Sequence, residues 1–75
     1  MKVGDVIRFL IIIDRANDNY SAYSPDLPGC VATGETREAA SQNMQRAIEM
    51  HVHGLREDGL PIPEPQAIAE YVTVG

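Results

Sequence analysis

The sequence predicts a small α+β domain with the element order β-β-β-α-β, formed by residues 1–75 as a single unit. Short runs rich in β-branched and aromatic residues indicate four strands. One longer segment repeats its apolar residues at spacings of three and four, which is typical of an amphipathic helix. With 75 residues, the chain is near the lower limit of what folds without disulfides or metal ions.

The first predicted strand is the apolar run Val6–Ile13. Side chains alternate between the two faces of a strand, and in this run both faces are largely apolar. A single helix covers only one face of a sheet, so the second face predicts contact with a partner protein or self-association, with a dimer as the first expectation. The candidate residues for self-association are Phe9, Leu10, Ile11 and Ile12. The alternative is a central strand whose second face is shielded by neighbouring side chains.

A polar connection and a second strand follow. Residues 14–19 are rich in types that tolerate turn geometry, which predicts a hairpin leading into the strand Tyr20–Tyr23. Asn17 and Asn19 are the candidates for left-handed backbone in this turn, because asparagine tolerates that conformation better than most residues.

The corner Ser24–Gly29 contains two prolines, which fix their own φ and restrict the residues before them. Leu27 is a lone apolar residue between these prolines, so the loop is expected to fold back onto the core. Gly29 is expected to adopt a positive φ. The apolar run Cys30–Ala32 that follows predicts the third strand, with Cys30 buried.

The helix is predicted to begin at Arg37, with Thr36 as its N-cap, and to end near Asp58. Gly59 is a plausible left-handed stop. The capping box is incomplete, because the third helical position is Ala39 where Glu would be favoured. The predicted apolar stripe consists of Ala40, Met44, Ala47, Ile48, His51, Val52 and Leu55.

The prolines of Leu60–Pro65 predict an extended surface segment. The alternating pattern of Ala69–Val74 then predicts a final short strand. Because the helix lies between this strand and the third one, a right-handed crossover would make the two parallel.

Composition limits the function. The net charge of −5 argues against direct binding of nucleic acid, since phosphate contacts depend on Lys and Arg, and it suits a basic protein partner. A single cysteine excludes an intramolecular disulfide and fits a reducing compartment. The start Met1–Asp5 lacks a signal-peptide pattern, and no apolar run is long enough to span a membrane. A cytoplasmic location is therefore expected.

No residue set predicts a catalytic, cofactor or metal site. His51 and His53 point about 200° apart on a helix and cannot share one ion. His51 is expected to face inward, and His53 to lie outward near Glu49. Cys30 is expected to pack in the core, since no cation is placed to lower its pKa.

The run Tyr23–Cys30 has the sequence YSPDLPGC and is followed by Thr33–Thr36 and by Glu38–Ala40. This signature resembles that of HicB-like antitoxins, and Glu57–Gly59 with Pro61–Pro65 resembles the helix end and proline segment of that family. The resemblance covers about residues 7–74. It implies a three-stranded antiparallel meander, one helix on the sheet, and a final strand beside the first, in a partial ribonuclease H-like fold.

The resemblance also implies a function. A HicB-like module would neutralise a HicA-type toxin, a small basic mRNA-cleaving nuclease, by masking it. The candidate residues for partner binding are those of the corner: Tyr23, Pro25, Asp26, Leu27, Pro28 and Gly29. The chain resembles a short form without the C-terminal DNA-binding domain of many relatives, so direct DNA binding is not expected.

Two other functions are compatible with the sequence. One is a solitary homo-oligomer with a regulatory or scaffold role and no toxin partner. The other is a residual nuclease, because ribonuclease H-like folds use clustered acids and two metal ions. Asp14, Asp26 and Glu35 lie near predicted strand ends, but apolar residues occupy the middle of the first strand. An inactive fold is therefore expected, with Asp26 accepting hydrogen bonds from backbone N–H groups within its own turn.

Overall fold

A computed structural model describes residues 6–75. The first five residues, in which the sequence shows no signal-peptide pattern, lie outside the described residues. Three strands and one helix are formed, in the order β1 (Ile12–Arg15), β2 (Tyr20–Tyr23), β3 (Val31–Gly34) and α1 (Arg37–Glu57). The α+β class and the meander followed by a helix are therefore confirmed.

The sheet has the order β1-β2-β3, and both pairs of neighbours are antiparallel. Ile13, Ala22 and Ala32 lie side by side on the face toward the helix, while Ile12, Tyr23 and Val31 form a row on the opposite face. Ala22 is buried, whereas Tyr23 and Val31 are exposed. The sheet therefore has one covered face and one open face, as a single helix requires.

The corner between β2 and β3 consists of two consecutive turns. The amide of Leu27 donates to the carbonyl of Ser24, and the amide of Cys30 donates to the carbonyl of Leu27, each at 3.1 Å. Gly29 has φ +85°, and with proline before it this is the signature of a type II turn, so the predicted positive φ is confirmed. Between the turns, Leu27 is only 1% exposed, as predicted.

Helix α1 begins and ends where the sequence predicts. The Thr36 side chain accepts a hydrogen bond from the amide of Ala39 at 3.0 Å, which caps the first turn. At the other end, Gly59 has φ +68°, and the amide of Leu60 donates to the carbonyl of Leu55. This left-handed closure satisfies carbonyls that the helix leaves free.

The core lies between the sheet and the helix. Its buried members are Ala22, Leu27, Cys30 and Met44, with Ala40 also buried on the helix. Around them pack the partly buried side chains of Phe9, Ile11, Ile13, Ala32, Ala47 and Ile48. Residues 9–59 therefore form the folded body of the molecule, and we refer to them below as the body.

Four elements differ from the prediction: β3, the first strand, the hairpin loop and the C-terminal strand. β3 begins at Val31 rather than Cys30 and reaches Gly34. The first strand begins at Ile12 and reaches Arg15, so residues 6–11 precede it and the hairpin loop is shorter than predicted. In that loop the amide of Ala16 donates to the carbonyl of Asn19, and neither Asn17 nor Asn19 has a positive φ. A four-residue loop can close with ordinary right-handed backbone, so no left-handed residue is required.

The last difference concerns the C-terminus. Residues 60–75 form neither helix nor strand in the single chain, so the predicted strand Ala69–Val74 is not paired. A strand needs an adjacent strand to satisfy its backbone groups, and β1 retains a free edge in the described residues. The alternating pattern predicted a strand, but no strand in the described part of the same chain pairs with this segment.

Candidate protein-binding surface

The open face of the sheet is built by the alternation of the strands. The row Ile12, Tyr23 and Val31 crosses all three strands on the side away from the helix, and we call these three residues the open sheet face. Val31 is 64% exposed and Tyr23 is 40% exposed, while Ile12 is half-buried. Apolar side chains in this arrangement are suited to a protein contact, because the helix covers only the opposite face of the sheet.

The neighbouring row on the same face is polar. It consists of Asp14, Ser21 and Thr33, which the strand register aligns beside the open sheet face. Glu35 follows at the end of β3 and is exposed, as is Asp14. An apolar centre with polar and acidic groups at its edge has the anatomy of a protein–protein interface.

The corner contributes side chains to both the surface and the interior. Pro25, Pro28 and Gly29 are exposed, and they follow Tyr23 in the chain. Leu27 points into the core and is not available to a partner. Ser24 is 3% exposed, and its Oγ has no hydrogen-bond partner among the described residues.

Asp26 makes a contact that sequence reasoning missed. Its Oδ2 accepts a hydrogen bond from the amide of Ala67 at 3.1 Å, across a sequence separation of 41 residues. The prediction that Asp26 is satisfied by amides within its own turn is therefore wrong. The carboxylate instead holds the chain that follows the helix against the corner, and no local pattern marks such a distant partner.

The four candidates for self-association occupy different positions. Phe9 and Ile11 are partly buried and pack against the core. Leu10 is half-buried and precedes β1, and Ile12 belongs to the open sheet face. The structure thus brings them together in one extended stretch, with only part of that stretch facing solvent.

The histidines and the cysteine provide no site. His51 is exposed rather than inward-facing, and His53 lies 3.5 Å from Glu57 rather than near Glu49. For His53, the predicted acidic partner was one helical turn before it, whereas the observed partner is one turn after it. Cys30 is buried, as predicted, and burial raises the pKa of its thiol.

The three acids considered for a nuclease site are not brought into a metal cluster. Among residues 6–75, no group of three or more His, Cys, Asp or Glu side chains is placed to hold a metal ion. Asp26 is engaged with Ala67, while Asp14 and Glu35 lie in exposed positions. No helix in the described part of the chain is long and apolar enough to cross a membrane.

Comparison with known proteins identifies the family. Residues 9–74 match the HicB_like antitoxin of bacterial toxin-antitoxin systems. The chain belongs to the HicB-like antitoxin family. The resemblance carried by the corner and the helix start is thereby confirmed, and an antitoxin role is supported.

Relatives extend across phages and bacteria. An uncharacterized 14.9 kDa protein of Haemophilus phage HP1 is 37% identical over 62 residues, which cover 83% of this chain and 47% of the phage protein. The chain thus spans about half the length of that relative. A UPF0150 protein of Synechocystis is 29% identical over 70 residues, covering 92% of this chain and 89% of that protein.

A solved structure also matches. A chain of the HicA3 and HicB3 toxin-antitoxin complex superposes with a TM-score of 0.66 at 30% identity, covering 79% of this chain and 70% of that chain. The arrangement of strands and helix therefore occurs in an antitoxin complex.

Proposed function

We propose that this HicB-like domain binds a HicA-type toxin and neutralises it by covering the surface that the toxin uses to cleave mRNA. The observation that carries the proposal is the open sheet face, an apolar row bordered by polar and acidic side chains, on a chain that belongs to an antitoxin family. The match to a chain of a toxin–antitoxin complex supports the same function.

Charge favours this type of partner. The chain carries a formal net charge of −5, and its acids include Asp14 beside the open sheet face. Opposite charges on two proteins accelerate their encounter and suppress wrong orientations, whereas the apolar centre supplies most of the affinity. A basic RNA-binding surface is therefore a fitting target for this domain, which would compete with RNA for it.

The domain performs this function as a binding protein, without chemistry of its own. Masking requires a rigid surface, and the corner provides one because its two turns are fixed by proline and by backbone hydrogen bonds. Tyr23 is the expected anchor, since a tyrosine loses little conformational entropy on binding and offers both apolar area and a hydroxyl.

The test is a binding measurement between the full chain and the small basic protein recovered with it from its own host. Val31→Lys places a positive charge in the open sheet face, and we expect it to weaken binding at least ten-fold, which corresponds to about 1.4 kcal/mol. Gln42→Lys is the matched control, because it introduces the same charge at an exposed helix position on the other side of the sheet.

Equal affinity for these two variants would overturn the assignment of the surface. Recovery of the chain with no basic protein bound would instead favour a solitary HicB-like protein with a regulatory or scaffold role. Metal-dependent RNA cleavage by the purified chain, abolished by Asp14→Asn, would overturn the non-enzymatic function.

A further inference from the structure

The C-terminal segment, residues 68–74, places apolar side chains in water. Ile68, Val72 and Val74 are 85%, 82% and 87% exposed, and Tyr71 is fully exposed. Isolated apolar residues are common on protein surfaces, but four large ones within seven residues, rich in β-branched and aromatic types, are typical of a strand. The segment has the sequence of a half-buried strand without the neighbours that would bury it.

The start of this segment is held in place. Ile62 is half-buried, and Ala67 is tied to Asp26 by the 3.1 Å hydrogen bond to the carboxylate. The chain after the helix is therefore partly covered at Ile62 and Ala67, and every residue after Ala67 is exposed. The exposed residues therefore begin at an anchored point, because the Ala67 amide is bonded to Asp26 in the corner.

The dimensions of the whole chain exceed those expected of a compact domain. The radius of gyration is 14.2 Å, whereas a compact chain of this length has about 11 Å. The accessible surface is 6251 Å², about 1,700 Å² more than the roughly 4,500 Å² of a compact monomer of this mass. A stable interface needs about 800 Å² from each partner, so the excess is ample for one.

The same chain carries a site that lacks a strand. β1 is an edge of the sheet, and residues 6–11, which lead into it, have no strand partner among the described residues. Between these residues and the helix lies an open groove of about 340 Å³. Its apolar lining is Ile7, Phe9, Ile48 and Val52.

The segment fits this groove by its alternation. Ile68, Val72 and Val74 share one face of an extended chain with Glu70, and Tyr71 lies on the other face. The groove is also lined by His53 and Arg56, which can pair with the Glu70 carboxylate. If the segment lies along residues 6–11, its face with Ile68 and Val72 fills the groove between Phe9 and Ile48. Its face with Tyr71 then lies on the same side as Leu10 and Ile12. The backbone of the segment then satisfies the free edge.

We propose that the C-terminal segment of one chain adds as a strand to the edge formed by residues 6–11 and β1 of a second copy. The C-terminal segment of the second copy pairs with the same edge of the first. Each chain carries both halves of the contact, which is the condition for a closed two-fold dimer. The segment is exposed and, within the described residues, pairs with no strand of its own sheet, so its apolar side chains are available to a second copy. This assembly involves only copies of this chain, so it stands or falls independently of toxin binding.

The first test is the mass of the purified chain in solution, measured by light scattering over a range of concentrations. The full chain is expected to have twice the mass of one chain. A chain ending at Ala67, and the full-length variant Val72→Asp, are both expected to have the mass of one chain or to require at least ten-fold higher concentration to pair. Val31→Lys is the control, because it changes the open sheet face and should leave the mass unchanged. Circular dichroism verifies that each variant retains its helix.

The second test identifies which sheet receives the segment. Cysteines are introduced by Arg8→Cys and Ala69→Cys in one chain and joined with a short bismaleimide; Cys30 reacts slowly because it is buried. A cross-linked product of twice the chain mass is expected. A cross-link within one chain, a monomer at all concentrations, or a dimer that survives removal of residues 68–75 would each overturn the exchange.

Discussion

The body and the C-terminal segment differ in how their apolar side chains are used. In the body, Leu27 and Met44 are almost completely buried, and each lies where a turn or a helix directs it. In the segment, Tyr71 and Val72 have comparable size and are surrounded by solvent. The difference teaches that apolar patterning indicates which side chains can be buried in both regions, but only in the body does the rest of the single chain bury them.

Truncation of a large side chain is expected to give the largest difference between the two regions. Leu27→Ala removes a fully buried side chain from the core, and we expect it to lower the free energy of unfolding by about 2–5 kcal/mol. Ile68→Ala makes a similar truncation in the segment, and in dilute protein it should change that free energy by less than about 0.5 kcal/mol. Urea denaturation measures both values.

Concentration sharpens the same comparison. The effect of Ile68→Ala should grow as the protein is concentrated, because an assembled chain gains stability by mass action, while that of Leu27→Ala should be present at every concentration. Similar losses for both variants in dilute protein would mean that the segment is part of the body.

Close backbone approach gives the next largest effect. A Cβ at Gly34 would lie 2.7 Å from the carbonyl carbon of Ala39 and 2.8 Å from the Cα of Ala40, and backbone atoms cannot move aside easily. Gly34→Ala is expected to cost about 1–3 kcal/mol of unfolding free energy. Gly54→Ala is the control: the added Cβ meets no atom within 4 Å, and a helical glycine replaced by alanine should gain up to about 1 kcal/mol. The same sign for both would refute the packing between β3 and the helix start.

Loss of the contact that joins the two regions should have a smaller effect. Asp26→Ala removes the acceptor for the Ala67 amide, and we expect about 1 kcal/mol of destabilisation together with faster hydrogen exchange at Ala67. Asp18→Ala, in the exposed hairpin loop, should change neither quantity. Unchanged exchange at Ala67 in the Asp26 variant would show that the hydrogen bond does not hold the chain there.

The smallest expected effect is at Ser24. Its buried Oγ has no partner among the described residues, so Ser24→Ala removes a hydroxyl that gains nothing from burial. The unfolding free energy should stay within about 0.5 kcal/mol or rise by up to about 1 kcal/mol. Thr36→Ala is a useful contrast, because losing the N-cap should cost about 1 kcal/mol. A loss at Ser24 as large as that at Thr36 would mean that the hydroxyl is satisfied in solution.

Local chemistry explains which parts of the fold could be predicted from the sequence. Thr36, Gly29 and Gly59 act within a few residues of their own positions, so the cap, the type II turn and the helix end followed directly from residue type. The second strand was predicted with its observed bounds for the same reason. The open sheet face also follows from the period of two, once the strands are paired.

The failures involve contacts distant in sequence. The prediction for Asp26 looked for amides nearby, but its partner is Ala67. The prediction for Ala69–Val74 recognised an extended segment but assumed that its own sheet would receive it. Neither the partner of a carboxylate nor that of a strand can be derived from alternation alone, because both depend on how the helix end directs the chain.

The proline segment Leu60–Pro65 has a consequence for kinetics. Three prolines in six residues keep this part of the chain extended before any encounter occurs. A strand exchange that begins from such a conformation needs no opening of either body, so its rate should depend on collision frequency and on protein concentration. Stopped-flow dilution and mixing would then show second-order association that lacks the slow unfolding phase of ordinary domain swapping.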